Sequence, residues 1–155
     1  MSLATIIRDQ LESTPSHRAA QIRAFDDELR VEVKLTDHSR LGCLLESLHF
    51  EYEGSVPAPF EPCLILDRVT YLGEKLEVIE TDGNAGRTIL RSNPPRTEGG
   101  VISFFEMELN GSRTLSLVRF NYDPEMGKRV RIPAPLTRDA LERLIRDLIE
   151  LTRDN

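Results

Sequence analysis

The chain has no tryptophan, and six phenylalanines and three tyrosines are all its aromatic rings. Platforms on which successive bases stack are therefore scarce. Basic residues are the minority, 20 against 26 acidic ones, for a net charge of −6. Non-specific nucleic-acid binding rests on phosphate neutralisation and asks for the opposite balance. Cysteine is limited to Cys43 and Cys63, with no C-x-x-C pair and no metal-like spacing to the three histidines. Nowhere do eighteen apolar residues run together, and Arg8 and Asp9 interrupt the only early apolar stretch. These absences point to a reduced, cytoplasmic protein with no metal and no cofactor. They leave neither nucleic acid nor a membrane as an expected partner.

What remains is ordinary globular material. A chain of 155 residues is the size of one domain, and such a length buries about 68–70% of its unfolded surface, enough for a core without staples. The expectation is a single α+β domain over residues 1–155. Charge is spread unevenly. Residues 1–85 hold 8 Lys+Arg against 16 Asp+Glu, whereas residues 86–135 hold 8 against 5. The middle of the chain is the one place with an excess of cations.

Periodicity supplies the elements. Leu3, Ile6, Ile7 and Leu11 share one helical face, and Ala19, Ile22 and Phe25 suggest a second helical piece over 16–26. Residues 29–35, LRVEVKL, alternate apolar and charged side chains as a half-buried strand does. Leu41, Leu44, Leu45 and Leu48 fit a short helix, weakened by Gly42. They fit equally a return strand over 41–52 that switches face at a bulge near Glu46. After the proline-rich connector 56–62, residues 64–76 are open between helix and strand. LEVIETD, GNAG and RTILRS read as a hairpin, and residues 101–109 and 113–122 as a second around Asn110-Gly111-Ser112. Its pairing sets Met107 against Leu115, Phe105 against Leu117 and Arg119 against Ser103. The sheet therefore asks for a full cover on one face and a partial cover on the other, the second from the N-terminal helices or another subunit. A strand over 128–133 precedes the clearest element, an amphipathic helix with Thr137 as its cap and Leu141, Leu144, Ile145, Leu148 and Ile149 as its buried stripe. The fold class read from this order is α+β: an antiparallel meander sheet packed by N-terminal helices and a C-terminal amphipathic helix.

Candidate chemistry is thin. Asp37-His38-Ser39 holds the residue types of a hydrolase triad, but three consecutive side chains diverge and cannot line up. The stretch reads as a cap or turn, and His17, His38 and His49 as surface histidines. DHSRLG, with Asp37, Ser39 and Gly42, resembles the D/N-x-S-x-x-G element of PilZ domains, whose cyclic-dinucleotide ligand is clamped by an upstream R-x-x-x-R pair. Here R-x-x-x-R occurs only downstream, at Arg87–Arg91, and Arg18–Arg23 is one residue too long. That ligand is therefore not carried over. Cys43, set among leucines, reads as a small buried hydrophobe.

Arg87 and Arg91 share a strand face, Arg96 follows in SNPPR, and Arg119 interrupts an apolar face. An arginine on a core face usually has a carboxylate or a ligand, but Arg119 is expected to be a sheet-end arginine that reaches solvent along its own stem. These four are the candidate anion-binding residues. No nucleophile–base pair or phosphate loop supports an enzyme. The element order is similar to that of the small acidic secretion chaperones, a resemblance that implies client binding through dimer surfaces. The expectation is a non-enzymatic protein-binding module of chaperone or adaptor type, homodimeric. The alternative is a binder of a small anion through the arginines of 87–119.

Overall fold

The computed structural model describes residues 2–153. Among them, ten strands form one antiparallel sheet and three helices pack on it, so the fold is α+β. Helix α1 (Leu3–Ser13) starts with Ser2 accepting the Thr5 backbone N–H, and buries Leu3, Ile7 and Leu11. Strands β1 (Ala20–Phe25), β2 (Leu29–His38) and β3 (Gly42–Tyr52) follow as hairpins, then α2 (Pro62–Arg68). Next come β4 (Leu76–Asp82), β5 (Arg87–Ser92), β6 (Arg96–Glu98), β7 (Val101–Asn110), β8 (Thr114–Asp123), β9 (Lys128–Ile132) and β10 (Ala134–Thr137). Helix α3 (Arg138–Leu151) closes the order, capped by Thr137 as its sequence asks. The sheet runs β1-β2-β3-β8-β7-β5-β4, so β1 and β4 are its two ends.

Several expectations change. Residues 20–25 are a strand rather than the second half of a helix. Ala20, Ile22 and Ala24 are buried and their neighbours exposed, so period two wins because β2 offers a ladder and α1 a cover. A single N-terminal helix, not two, therefore packs on the sheet. The 41–52 ambiguity resolves as a strand. The partner of Lys34 is Ser47 and that of Leu35 is Leu45, so Glu46 is the extra residue of a bulge. Burial switches there from Cys43 and Leu45 to Leu48, Phe50 and Tyr52. In 64–76 a helix of about two turns, begun by Pro62, ends at Arg68.

At the Glu46 bulge the sheet forks. β3 pairs with β8 through Leu48–Glu51, whereas its earlier residues 42–45 pair with β10. β8 in turn pairs with β9 beyond Arg119. One segment, 128–137, thus lines both arms, turning at Pro133, and Arg131 donates to the Glu46 carbonyl at 3.1 Å. The main apolar cluster lies on the helix side of the sheet. Phe50 and Phe60 meet edge to face there at 5.9 Å, and Leu141, Leu144 and Leu148 of α3 are fully covered. Burial of such a stripe contributes about 1.5–3 kcal/mol per residue.

The β7–β8 hairpin has the expected faces but a register displaced by two residues: Met107 faces Leu117, Leu109 faces Leu115 and Arg119 faces Phe105. A two-residue slip preserves both faces, so alternation alone does not detect it. The turn decides. Gly111 and Ser112 both take positive φ, which shifts the loop to Gly111–Arg113.

Candidate functional site

Alternation sends the four candidate arginines to different places. Arg119 lies on the helix side, 6% exposed, with both guanidinium arms on the Glu74 carboxylate at 3.1 and 2.8 Å. Its guanidinium also sits 4.7 Å from the Phe105 ring centre. Arg96 is exposed on β6, 3.5 Å from Glu98. Only Arg87 and Arg91 share the outer face, where Arg87 pairs with Glu108 and Arg91 with Glu106 at 2.6 Å. Arg129, which sequence reasoning passed over, meets the same Glu106 oxygen at 3.1 Å.

The partial cover of the outer face comes from these arginines. Arg91 lies 4.8 Å over Phe104 and Arg129 4.1 Å over Phe120, so aliphatic stems and guanidinium faces shield the rings. Ile89 and Phe104 are buried there outside the main cluster. The charges follow a rule by strand. β4 presents Glu77, Glu80 and Asp82, β5 presents Arg87 and Arg91, and β7 presents Glu106 and Glu108. Acid, base and acid alternate across the sheet.

The stretch LTDHSRLG ends β2 and makes the tight turn into β3. Ser39 Oγ accepts the backbone N–H groups of Leu41 and Gly42, and Asp37 accepts that of His38. It caps a hairpin, not a helix. His38 departs from the surface reading. It is 3% exposed, and neither ring nitrogen has a hydrogen-bond partner among the described residues. His17 is exposed, and His49 bridges Ser116 at 2.8 Å and Glu51 at 3.0 Å on the outer face. Burial pushes the Cys43 thiol up to about 11, against the pull of the Arg138 guanidinium. The thiolate is the reactive form, so a disulfide reagent at pH 8 is expected to titrate one thiol, exposed Cys63, in the native protein and two in denaturant. Equal native rates for both thiols would contradict this assignment.

The remaining feature is the sheet's β4 end. β4 pairs with β5 alone, and its other edge meets no strand among the described residues. Beside it lies a groove of about 840 Å³ between β4 and α2 with its following loop, floored by Leu66, Val69, Leu76 and Val78. Val78 and Ile79 are 44% and 41% exposed, and Leu64 on α2 is 43% exposed. The helix layer stops short of the edge and leaves apolar surface there. Sequence reasoning recognised β4 as a strand, but the bulge at Ile79, which sets the face of every later residue, carries no composition signal of its own.

No protein family, curated protein or solved structure matches this chain. No helix among the described residues is long and apolar enough to cross a membrane.

Proposed function

We propose that the protein is a cytoplasmic, non-enzymatic protein-binding module of chaperone or adaptor type that works as a homodimer. The observation that carries this reading is a sheet open at both ends, with one open end bordered by an uncovered apolar groove. An unpaired edge is a template for another strand. We read the Ser116–His49–Glu51 chain of the outer face as a cross-strand contact between the paired strands β3 and β8, and Arg87, Arg91 and Arg129 on that face each hold a carboxylate.

The β1 edge suits a second copy. Its helix-side residues are Ala20, Ile22 and Ala24, and its outer residues are Gln21, Arg23 and Phe25. Antiparallel pairing about a two-fold axis at Ile22 sets Ile22 against its equivalent, Ala20 against Ala24 and Gln21 against Arg23. No like charges oppose, and Phe25, 74% exposed in the single chain, flanks the seam. The experiment is sedimentation of the wild type and of Gln21→Arg, a change on an exposed side chain. The wild type is expected at twice the 17.6 kDa chain mass. Gln21→Arg sets two arginines against the partner's Arg23 residues, which is expected to weaken the dimer about tenfold. A wild type that stays at the mass of one chain at high concentration would end the homodimer reading.

A further inference from the structure

The β4 edge does not suit a second copy. The Ile79 bulge divides β4 so that Leu76, Val78 and Thr81 lie on the helix side and Glu77, Glu80 and Asp82 on the outer side. Antiparallel self-pairing must match faces. Each register that does so sets Glu77 against Glu80, Asp82 or itself, or opposes the acids at 80 and 82. Like charges placed directly opposite are destabilising. The acids are accessible, too. Glu80 and Asp82 are exposed and make no ion pair among the described residues, while Glu77 reaches only Lys75 at 3.6 Å and the Asn93 amide.

Across the outer face, β7 is acidic, β5 basic and β4 acidic, with Arg91 opposite Glu77 and Arg87 opposite Asp82. The next strand in that series is basic. On the helix side, the next strand meets Val78 and the groove floored by Leu66 and Val69. We propose that the β4 edge binds an extended segment of a partner protein in which Lys or Arg alternate with apolar residues, the cations over Glu77 and Glu80 and the apolar side chains in the groove beside α2. Main-chain hydrogen bonds would supply affinity and the two faces the selection. The inference rests on the protein-binding reading and names the partner's chemistry. In a dimer joined at β1, two such edges lie at the far ends of one continuous sheet.

The test is fluorescence anisotropy with three labelled synthetic peptides of equal length: alternating Arg-Val, alternating Glu-Val, and a block peptide with the composition of the first. The alternating basic peptide is expected to bind more tightly than the block peptide and to weaken as salt rises. Glu80→Lys, an exposed change, is expected to lower its affinity about tenfold and to raise that of the Glu-Val peptide. Hydrogen exchange is expected to slow across residues 76–82 when the Arg-Val peptide is added. Equal binding of the block peptide would reduce the effect to bulk charge and overturn the proposal. So would exchange that slows at β1 instead, or affinity indifferent to Glu80→Lys. A chain whose self-association responds to Glu80→Lys rather than Gln21→Arg would assign the edge to a second copy and overturn it as well. Failure of the peptide with the dimer intact removes this inference and leaves the homodimer. A monomer that still binds the peptide does the reverse.

Discussion

Phe50→Ala is expected to destabilise the protein by about 3–5 kcal/mol, among the larger costs of a single truncation. Phe50 is wholly covered, paired in the sheet with Val31 on one side and Leu115 on the other. Its ring meets that of Phe60, which the proline-rich connector brings over the sheet and the Ser112 carbonyl fixes through the Phe60 backbone N–H at 3.0 Å. Truncation leaves a cavity in the middle of the core and frees the connector that closes it. At about 2–4 °C per kcal/mol for a chain of this size, the midpoint falls well beyond measurement error. Met126→Ala, at an exposed methionine of the turn between β8 and β9, is the control, expected within about 0.5 kcal/mol of the wild type. A loss under about 1 kcal/mol for Phe50→Ala would mean that the sheet and connector do not pack as described.

Glu74→Ala is expected to cost about 3–5 kcal/mol, because it leaves the Arg119 cation buried with no carboxylate. The side chains of the pair are 7% and 14% exposed, so solvent cannot take over from the lost partner. Replacing both together, Arg119→Met with Glu74→Leu, is expected to return stability to the wild-type level or above it by about 1–4 kcal/mol. Chemical denaturation of the wild type and the two variants decides. A mild single mutant, or a double mutant as unstable as the single, would contradict the buried-pair description. Glu74 stands on the loop between α2 and β4, so the pair also anchors a wall of the edge groove to β8. The single mutant is therefore expected to loosen the groove as well as the core.

How far the sequence carried depended on whether neighbours or periodicity decide an element. The Thr137-capped helix and the alternating strand at 29–35 were legible because their burial patterns have one solution. The Glu46 bulge was legible as one of two options, since the apolar set changes face there. Residues 20–25 were misread because Ile22 and Phe25 satisfy a helical spacing while Ala20, Ile22 and Ala24 satisfy a strand, and alanine decides neither. Only the β2 ladder and the α1 cover discriminate. β10 was hidden by two prolines in PAPLT and exists because the fork at Glu46 offers β3 residues 42–45 a free edge. Arg119 was expected to reach solvent along its own stem; it is buried instead against Glu74, 45 residues away, a pairing that no local pattern announces. The charge series across β4, β5 and β7 needed the Ile79 bulge before its faces could be assigned.

In the proposed reading the open β1 and β4 edges do different work, β1 joining copies and β4 receiving a basic partner segment. Hydrogen exchange of the protein alone, dilute and concentrated, followed at residues 20–25 and 76–82, separates the two. Exchange is expected to slow with concentration at 20–25 while 76–82 is unchanged. Slowing at 76–82, or no change at either edge with the mass held at 17.6 kDa, would contradict it.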